Sequence, residues 1–247
     1  MPFELLPILP TMAKIYEMPI SRDRFEAYLF KLQGNTKDDM IMPIAGYNPM
    51  AKAHVAEKIQ HLREMGAEQI IAEAAKEVNK RFATQDIPPI GVGLNLGDNV
   101  GGAWTNRFTT DFESKFRLNA LVKRNFCTPY IWTSEAHNEV LIRQRSLEYM
   151  FRTVYWLENN PPVQLQDYVD MEVFVQSQLK EEVREYDQEL FELVELYLKD
   201  HQKEEEYALI FNFFYGDQAS ESLGFPTFGM DGMTGFEYAV IKTSLSF

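Results

Sequence analysis

The chain has 247 residues, of which 45% are hydrophobic and 25% are charged, and its formal net charge is −13. This composition is typical of a globular protein large enough to bury a full core, and we expect one globular domain over residues 1–247. An acidic surplus of this size repels phosphate backbones and anionic membrane surfaces, which argues against nucleic acid as a partner.

The sequence shows no sign of export or of a membrane partner. Its first residues lack the basic start and long apolar core of a secretory signal. No stretch approaches the ~18 uninterrupted apolar residues of a membrane span. The single cysteine, Cys127, excludes an internal disulfide and any multi-cysteine metal site. We therefore expect a cytoplasmic protein.

The N-terminal third is predicted to be extended first and helical afterwards. Prolines at positions 2, 7 and 10 predict extended chain over the first ten residues, on the surface or along a sheet edge. Helices are predicted from Ser21 to about Gly34, over 50–65 and over 67–82. Because Gly66 separates the last two, we expect an antiparallel helix pair.

A strand with one bare face is predicted over residues 90–96. Every second residue is apolar, and the positions between hold Gly91, Gly93 and Asn95. A strand face without side chains lets a ligand or another backbone approach closely. The glycine-rich loop that follows can direct N–H groups at an anion. Its polar and aromatic residues are Asp98, Asn99, Trp104, Asn106 and Arg107.

The middle of the chain is predicted to alternate between helix and strand. Thr110 and Glu113 form a predicted capping box that begins a short helix to about Val122. A strand is predicted over 126–132 and a long helix over 135–158. From Lys180 to Glu206 there are eleven acidic and four basic residues, with apolar residues at helical spacing. This pattern predicts an amphipathic helix with a solvated acidic face.

Two further strands are predicted near the C-terminus, over 207–215 and 236–245. The first is a continuous apolar and aromatic run interrupted only by Asn212, which is typical of a strand buried on both faces. Strands that recur between long helices predict an α/β fold, with mixed α+β as the alternative. We expect a small mixed sheet packed by several long helices.

One sequence pattern occurs twice. Residues 94–99 and 213–218 each place a glycine, an aspartate and an amide after an apolar run. If the two strands are parallel neighbours, Asp98 and Asp217 emerge at the same carboxyl edge, where ligands of open α/β sheets bind. Ordinary turn chemistry is the alternative, since an aspartate in a turn bonds to its own backbone.

Arg107 comes directly before the predicted helix at Thr110. A guanidinium beside helical N–H groups favours a phosphate or carboxylate. The alternative is a structural arginine that pairs with Asp111 while Trp104 packs into the core. The glycine spacing matches neither the dinucleotide-binding nor the P-loop motif.

The four histidines do not form a recognisable metal motif. His54 and His61 are seven residues apart, or roughly 10 Å along a helix, so one metal cannot take both. His137 lies in the first turn after Ser134 and is a candidate proton-transfer group near the mouth of the sheet. No catalytic nucleophile stands out, and the sequence indicates no particular cofactor.

The sequence predicts a protein that binds or processes a small anionic ligand. The predicted ligand-binding residues are Asp98, Asn99, Trp104, Asn106, Arg107 and Asp217. The first alternative is a non-catalytic interaction protein whose acidic helix meets a basic partner. The second is a metal-dependent hydrolase, which requires Asp98, Asp217 and His137 to converge.

Overall fold

A computed structural model describes residues 2–35, 37–82, 88–100, 106–180 and 185–245. The chain divides into two compact units, Met1–Thr153 and Val154–Phe247. The strands of the described chain all lie in the first unit, and the described part of the second unit is helical. The α/β class with a small helix-packed sheet is confirmed, whereas one domain over residues 1–247 stays a prediction.

The strands pair in parallel. They are β1 (Phe3–Leu5), β2 (Ile90–Val92), β3 (Asn95–Gly97), β4 (Phe126–Cys127) and β5 (Tyr130–Trp132). Among the described residues, one sheet has the order β1-β2-β4 and a second pairs β3 with β5. All these pairings are parallel. The sequence analysis predicts a sheet with both parallel and antiparallel strands, and the described strands differ from it in this respect.

Each of the two predicted central strands is divided in the middle. Residues 93–94 separate β2 from β3, and residues 128–129 separate β4 from β5. Pro129 has no N–H to donate to a ladder, which favours a break at this point. Its carbonyl oxygen still accepts from Asn95 N at 2.8 Å, so the two breaks stay side by side.

The helices of the first unit follow the sequence closely. The helix begun by Ser21 and the two helices separated at Gly66 are confirmed, and Gly66 takes a φ of +73°, which favours glycine. The helices that begin in this unit are α1 (Leu9–Glu17), α2 (Arg22–Gln33), α3 (Ala53–Glu64), α4 (Ala67–Arg81), α5 (Arg107–Phe116), α6 (Asn119–Val122) and α7 (Glu139–Glu158).

The N-terminal residues are only partly extended. Residues 3–5 form β1 at the edge of its sheet, as the prolines predict. Pro10, however, lies in the first turn of α1. A proline is tolerated there because its missing N–H would have no partner inside the helix.

The glycines of the predicted bare strand face are covered by the chain's own side chains. A Cβ added at Gly93 would lie 2.2 Å from Ile8 Cδ1, and one added at Gly97 would lie 2.4 Å from Tyr130 Cε1. Ile8 is fully buried. These two glycines therefore make room for internal packing by Ile8 and Tyr130.

The second unit contains the two largest errors of the sequence analysis. Strands are predicted over 207–215 and 236–245, but residues 207–215 and 236–244 are helical. The helices are α8 (Leu165–Leu179), α9 (Gln188–His201), α10 (Tyr207–Ser222) and α11 (Gly235–Ser244). A helix buried on all sides has the same continuous apolar sequence as a buried strand, and residues 209–214 are all buried.

Capping residues mark the N-terminal ends of two of these helices, α9 and α11. Thr234 and Glu237 form a capping box at the start of α11, a sequence signal that the strand prediction overlooked. The predicted acidic helix begins later than expected, because the side chain of Asp187 accepts from Leu190 N at the start of α9. Residues 181–184 of that prediction lie outside the described residues.

The covered strand face predicts different effects for two neighbouring glycines. Gly93→Ala should lower the free energy of unfolding by about 1–3 kcal/mol, because the new methyl group displaces the buried Ile8. Gly91→Ala should change it by less than about 0.5 kcal/mol, since its Cβ meets Phe126 and Leu6 at ordinary contact distances. Urea unfolding of the two variants measures the difference. Equal stabilities would contradict the packing explanation.

Candidate functional site

The pairing of β3 with β5 places two polar segments side by side. Gly97 is in register with Trp132, and Thr133 N donates to Gly97 O at 2.9 Å one residue further on. Residues 98–99 and 133–135 therefore leave the same carboxyl edge of the two strands. Ligands of parallel sheets bind at such edges.

Asp98 is the most buried charged group at this edge, with only 4% of its side chain exposed. Its Oδ1 atom accepts hydrogen bonds from His54 Nε2 at 2.8 Å, from Thr133 Oγ1 at 2.9 Å and from Val100 N at 3.1 Å. A buried carboxylate needs several donors to offset its lost hydration. These contacts connect α3 to the ends of β3 and β5.

His54 presents its second ring nitrogen away from this carboxylate. Because an ionised carboxylate only accepts hydrogen bonds, the proton of the neutral imidazole lies on Nε2. The Nδ1 atom then carries a lone pair, and no described residue hydrogen-bonds to it. The His54 side chain is 31% exposed.

Asn99 links the Asp98 cluster to Arg107. The Asn99 Oδ1 atom accepts from Ser134 N at 3.2 Å, and Asn99 Nδ2 donates to Ser134 Oγ at 2.8 Å. Arg107 Nη1 donates to the same hydroxyl at 3.4 Å. The structure thus brings together three of the predicted site residues, Asp98, Asn99 and Arg107.

Arg107 keeps much of its charge available to solvent. Its side chain is 44% exposed, and its Nη2 lies 3.8 Å from Glu135 Oε1, at the outer limit of an ion pair. Glu135 has a closer cation, since Arg145 Nη2 lies 3.2 Å from the same oxygen. Burial alone would lower the pKa of Arg145, but Glu148 and Glu135 outweigh it and raise that pKa. Glu135 is thus paired more closely with Arg145 than with Arg107.

Asn106 has a structural role that the sequence analysis missed. Its Oδ1 atom accepts from Phe108 N at 2.9 Å and from Thr109 N at 3.2 Å, which makes it the N-cap of α5. The capping box predicted at Thr110 is therefore wrong, because the helix begins earlier. These N–H groups are also occupied, so the expectation that they would hold an anion is not met. Trp104 lies outside the described residues.

Asp217 lies in a helix of the second unit and does not end a strand. Its carboxylate accepts hydrogen bonds from Asn212 Nδ2 and from the backbone N–H groups of residues 228–230. Gly216 interrupts α10 with a φ of +79°, which turns the chain into this arrangement. The repeated Gly-Asp pattern thus has two different structures, and the premise that Asp98 and Asp217 share an edge is wrong.

His137 is hydrogen-bonded to the backbone of β5. Burial lowers its pKa, and its Nε2 donates to Trp132 O at 2.9 Å. Its Nδ1 is buried and has no hydrogen-bond partner among the described residues. The ring stacks on His61 with centroids 6.4 Å apart. Within the described ranges, no three His, Cys, Asp or Glu side chains are grouped to hold a metal ion.

Sequence reasoning missed the role of His54, which lies 44 residues before Asp98. Comparison with protein-family models, curated proteins and solved structures finds no match to this chain. In the part that the structure describes, no helix has both the length and the apolar character needed to cross a membrane.

The contacts of Asp217 predict an acid-sensitive contribution to stability. Burial alone would raise its pKa, but the bonds from Asn212 and the 228–230 backbone outweigh it and lower that pKa. The contribution is therefore complete above the ordinary carboxyl pKa and is lost as pH falls through the folded-state value. Asp217→Asn should cost about 1–2 kcal/mol near neutral pH and much less in acid.

Urea unfolding at a series of pH values measures this difference. Glu221→Gln is the matched control, because it removes an exposed carboxylate from the same helix. It should change stability by less than about 0.5 kcal/mol. An Asp217→Asn deficit that does not shrink at low pH would contradict the assignment.

Proposed function

We propose that the chain is a cytoplasmic protein that binds a small anionic molecule at the carboxyl edge of β3 and β5 and processes it by proton transfer. One observation carries this proposal. The buried Asp98 carboxylate holds the imidazole of the partly exposed His54 at 2.8 Å, with Thr133 as a second donor.

The anionic character of the ligand is inferred from Arg107. Its side chain is 44% exposed, and its ion pair with Glu135 is long, at 3.8 Å. Its guanidinium also donates to Ser134 Oγ at 3.4 Å and lies 5.9 Å from the centre of the Trp132 ring. A guanidinium matches the geometry of a carboxylate or phosphate, which can accept two parallel hydrogen bonds. Asn99 and Arg107 both bond to Ser134 Oγ, which supports placing the ligand next to His54.

The proton-transfer role is inferred from His54. A buried carboxylate that orients an imidazole through one nitrogen leaves the other nitrogen as a general base, as in hydrolase triads. His54 thus accepts a proton from the bound molecule at Nδ1. Asp98 stabilises the imidazolium that forms, and Thr133 holds Asp98 in place.

A second candidate function is a non-catalytic interaction through α9. Leu193 and Leu196 are 62% and 59% exposed on this helix, and Glu189 and Glu192 lie on the same helix. Apolar side chains among carboxylates suit a basic amphipathic partner. A metal-dependent hydrolase has less support, because the Asp217 carboxylate already accepts from four N–H donors.

A thermal-shift screen with small phosphates and carboxylates tests the proposed function. A ligand present at ten times its Kd stabilises the folded state by about 1.4 kcal/mol, or ~3–6 °C for a chain of this size. Arg107→Ala should abolish the shift while leaving the unliganded melting temperature within about 2 °C of wild type. Arg117→Ala removes the same charge from the other end of α5 and should keep the shift.

Three outcomes separate the candidates. A shift lost in Arg107→Ala and kept in Arg117→Ala supports the anion site. A shift that survives in both variants would place the anion elsewhere and contradict the proposal. If no anion raises the melting temperature of the wild type, the interaction through α9 is favoured.

A further inference from the structure

A second histidine bonds to the strand end on which the site depends. His137 lies between β5 and α7, and its Nε2 is 2.9 Å from Trp132 O. Because a carbonyl oxygen only accepts hydrogen bonds, Nε2 carries a proton and donates. Trp132 is the last residue of β5, and the next residue, Thr133, donates to Asp98. His137 thus anchors the segment 133–137 to the end of β5.

The segment 133–137 also holds two other residues of the edge. Asn99 Nδ2 donates to Ser134 Oγ at 2.8 Å, and Arg107 Nη1 donates to the same hydroxyl at 3.4 Å. Ser134 N in turn donates to Asn99 Oδ1 at 3.2 Å. A displacement of this segment would therefore break the contacts that position these side chains.

The second ring nitrogen of His137 is buried without a partner. Its Nδ1 makes no hydrogen bond to any described residue. In the neutral ring Nδ1 carries only a lone pair. A second proton would create a buried N–H group without an acceptor and a positive charge with little water around it, both of which are unfavourable. The present position of the ring thus suits the neutral form better than the charged form.

Positive groups of α3 face this ring. The His61 ring lies nearly parallel to it, at an angle of 20° and a centroid distance of 6.4 Å. Lys58, one turn earlier on α3, acts on His137 as a further positive charge, and Glu135 opposes it. The Glu135 carboxylate is already paired with Arg145, whose Nη2 lies 3.2 Å away. A protonated His137 is therefore repelled by α3 and receives only a shared counter-ion.

These surroundings give the anchor a defined dependence on pH. Burial lowers the pKa of His137, and the positive charge of Lys58 adds to this effect. The bond to Trp132 O and the charge of Glu135 act in the opposite direction but do not outweigh it. A group whose pKa is lowered binds fewer protons in the closed edge than in the opened one. Its contribution is therefore complete above the ordinary histidine pKa of about 6.5 and is lost as pH falls from there towards the lowered value.

We propose that His137 is a pH-sensitive switch on the carboxyl edge, and that its protonation releases the segment 133–137 from the end of β5. The contacts of this segment with Asp98, Asn99 and Arg107 are then lost in mildly acidic solution and restored at neutral pH. As regulation of a binding site this inference rests on the proposed function, whereas the opening of the edge itself requires no ligand.

Hydrogen exchange of the full chain at about pH 7.5 and about pH 5.5, corrected for the intrinsic rate at each pH, measures the opening. The amides of residues 133–135 are the reporters, because each of them is hydrogen-bonded in the closed edge. After correction they should exchange about 3–10-fold faster at the lower pH, while the amides of α4 are unchanged. Protonation of His54 would strengthen its bond to Asp98, so it cannot produce this faster exchange.

Three variants assign the effect to His137. His137→Gln keeps a donor that can reach Trp132 O and cannot be protonated, so its corrected exchange should not depend on pH in this range. Lys58→Gln removes one positive charge beside the ring and should reduce the acceleration about two-fold. His201→Gln changes a histidine of α9, in the second unit, and should behave as wild type.

The switch predicts an acceleration that is lost in His137→Gln and kept in His201→Gln. Equal protection of residues 133–135 at both pH values in the wild type would overturn it, as would an acceleration that persists in His137→Gln. If His137→Gln is poorly folded, Lys58→Gln decides, because an undiminished response in that variant would also overturn the switch. These measurements contain no anion, so their failure leaves the thermal-shift test of the proposed function unaffected.

Discussion

The parallel pairing of β3 with β5 is the constraint on which the site depends. Its register aligns Gly97 with Trp132, so the next residues, Asp98 and Thr133, emerge together. Without this pairing the Asp98 carboxylate would lose Thr133 as a donor, and His54 would have no oriented partner. The short sheet thus acts as a positioning element, because parallel strands deliver the residues that follow them to one edge.

The glycines of these strands serve the interior, and the polar site lies beyond them. Gly93 admits Ile8, and Gly97 admits the rings of Tyr130 and Trp132. Close packing at these points lets strands of two or three residues be covered by helices and large side chains. The groups of the proposed site come from the segments after the strands, where Asp98 is buried and Arg107 is exposed.

Sequence patterns identified the features that depend on nearby residues. Capping and periodicity predict the helix begun by Ser21 and the two helices divided by Gly66. Turn chemistry predicts the glycine-rich strand end with Asp98, Asn99 and Arg107.

The sequence predictions were wrong where contacts between distant residues determine the local structure. The run 207–215 is equally apolar as a buried helix or as a strand, and only its packing distinguishes them. No local pattern pairs His54 with a carboxylate 44 residues away. Asn106 and Thr110 are both acceptable N-caps by residue type, and in the structure Asn106 caps α5.

The tautomer of His54 tests the central claim most directly. Long-range ¹H–¹⁵N spectra of the neutral imidazole report which nitrogen carries the proton. If Asp98 orients this ring, the proton lies on Nε2 in the wild type, and Asp98→Asn produces a mixture of tautomers while His201 is unchanged. A wild-type His54 with its proton on Nδ1, or with both tautomers populated, would contradict a carboxylate-oriented base at this edge.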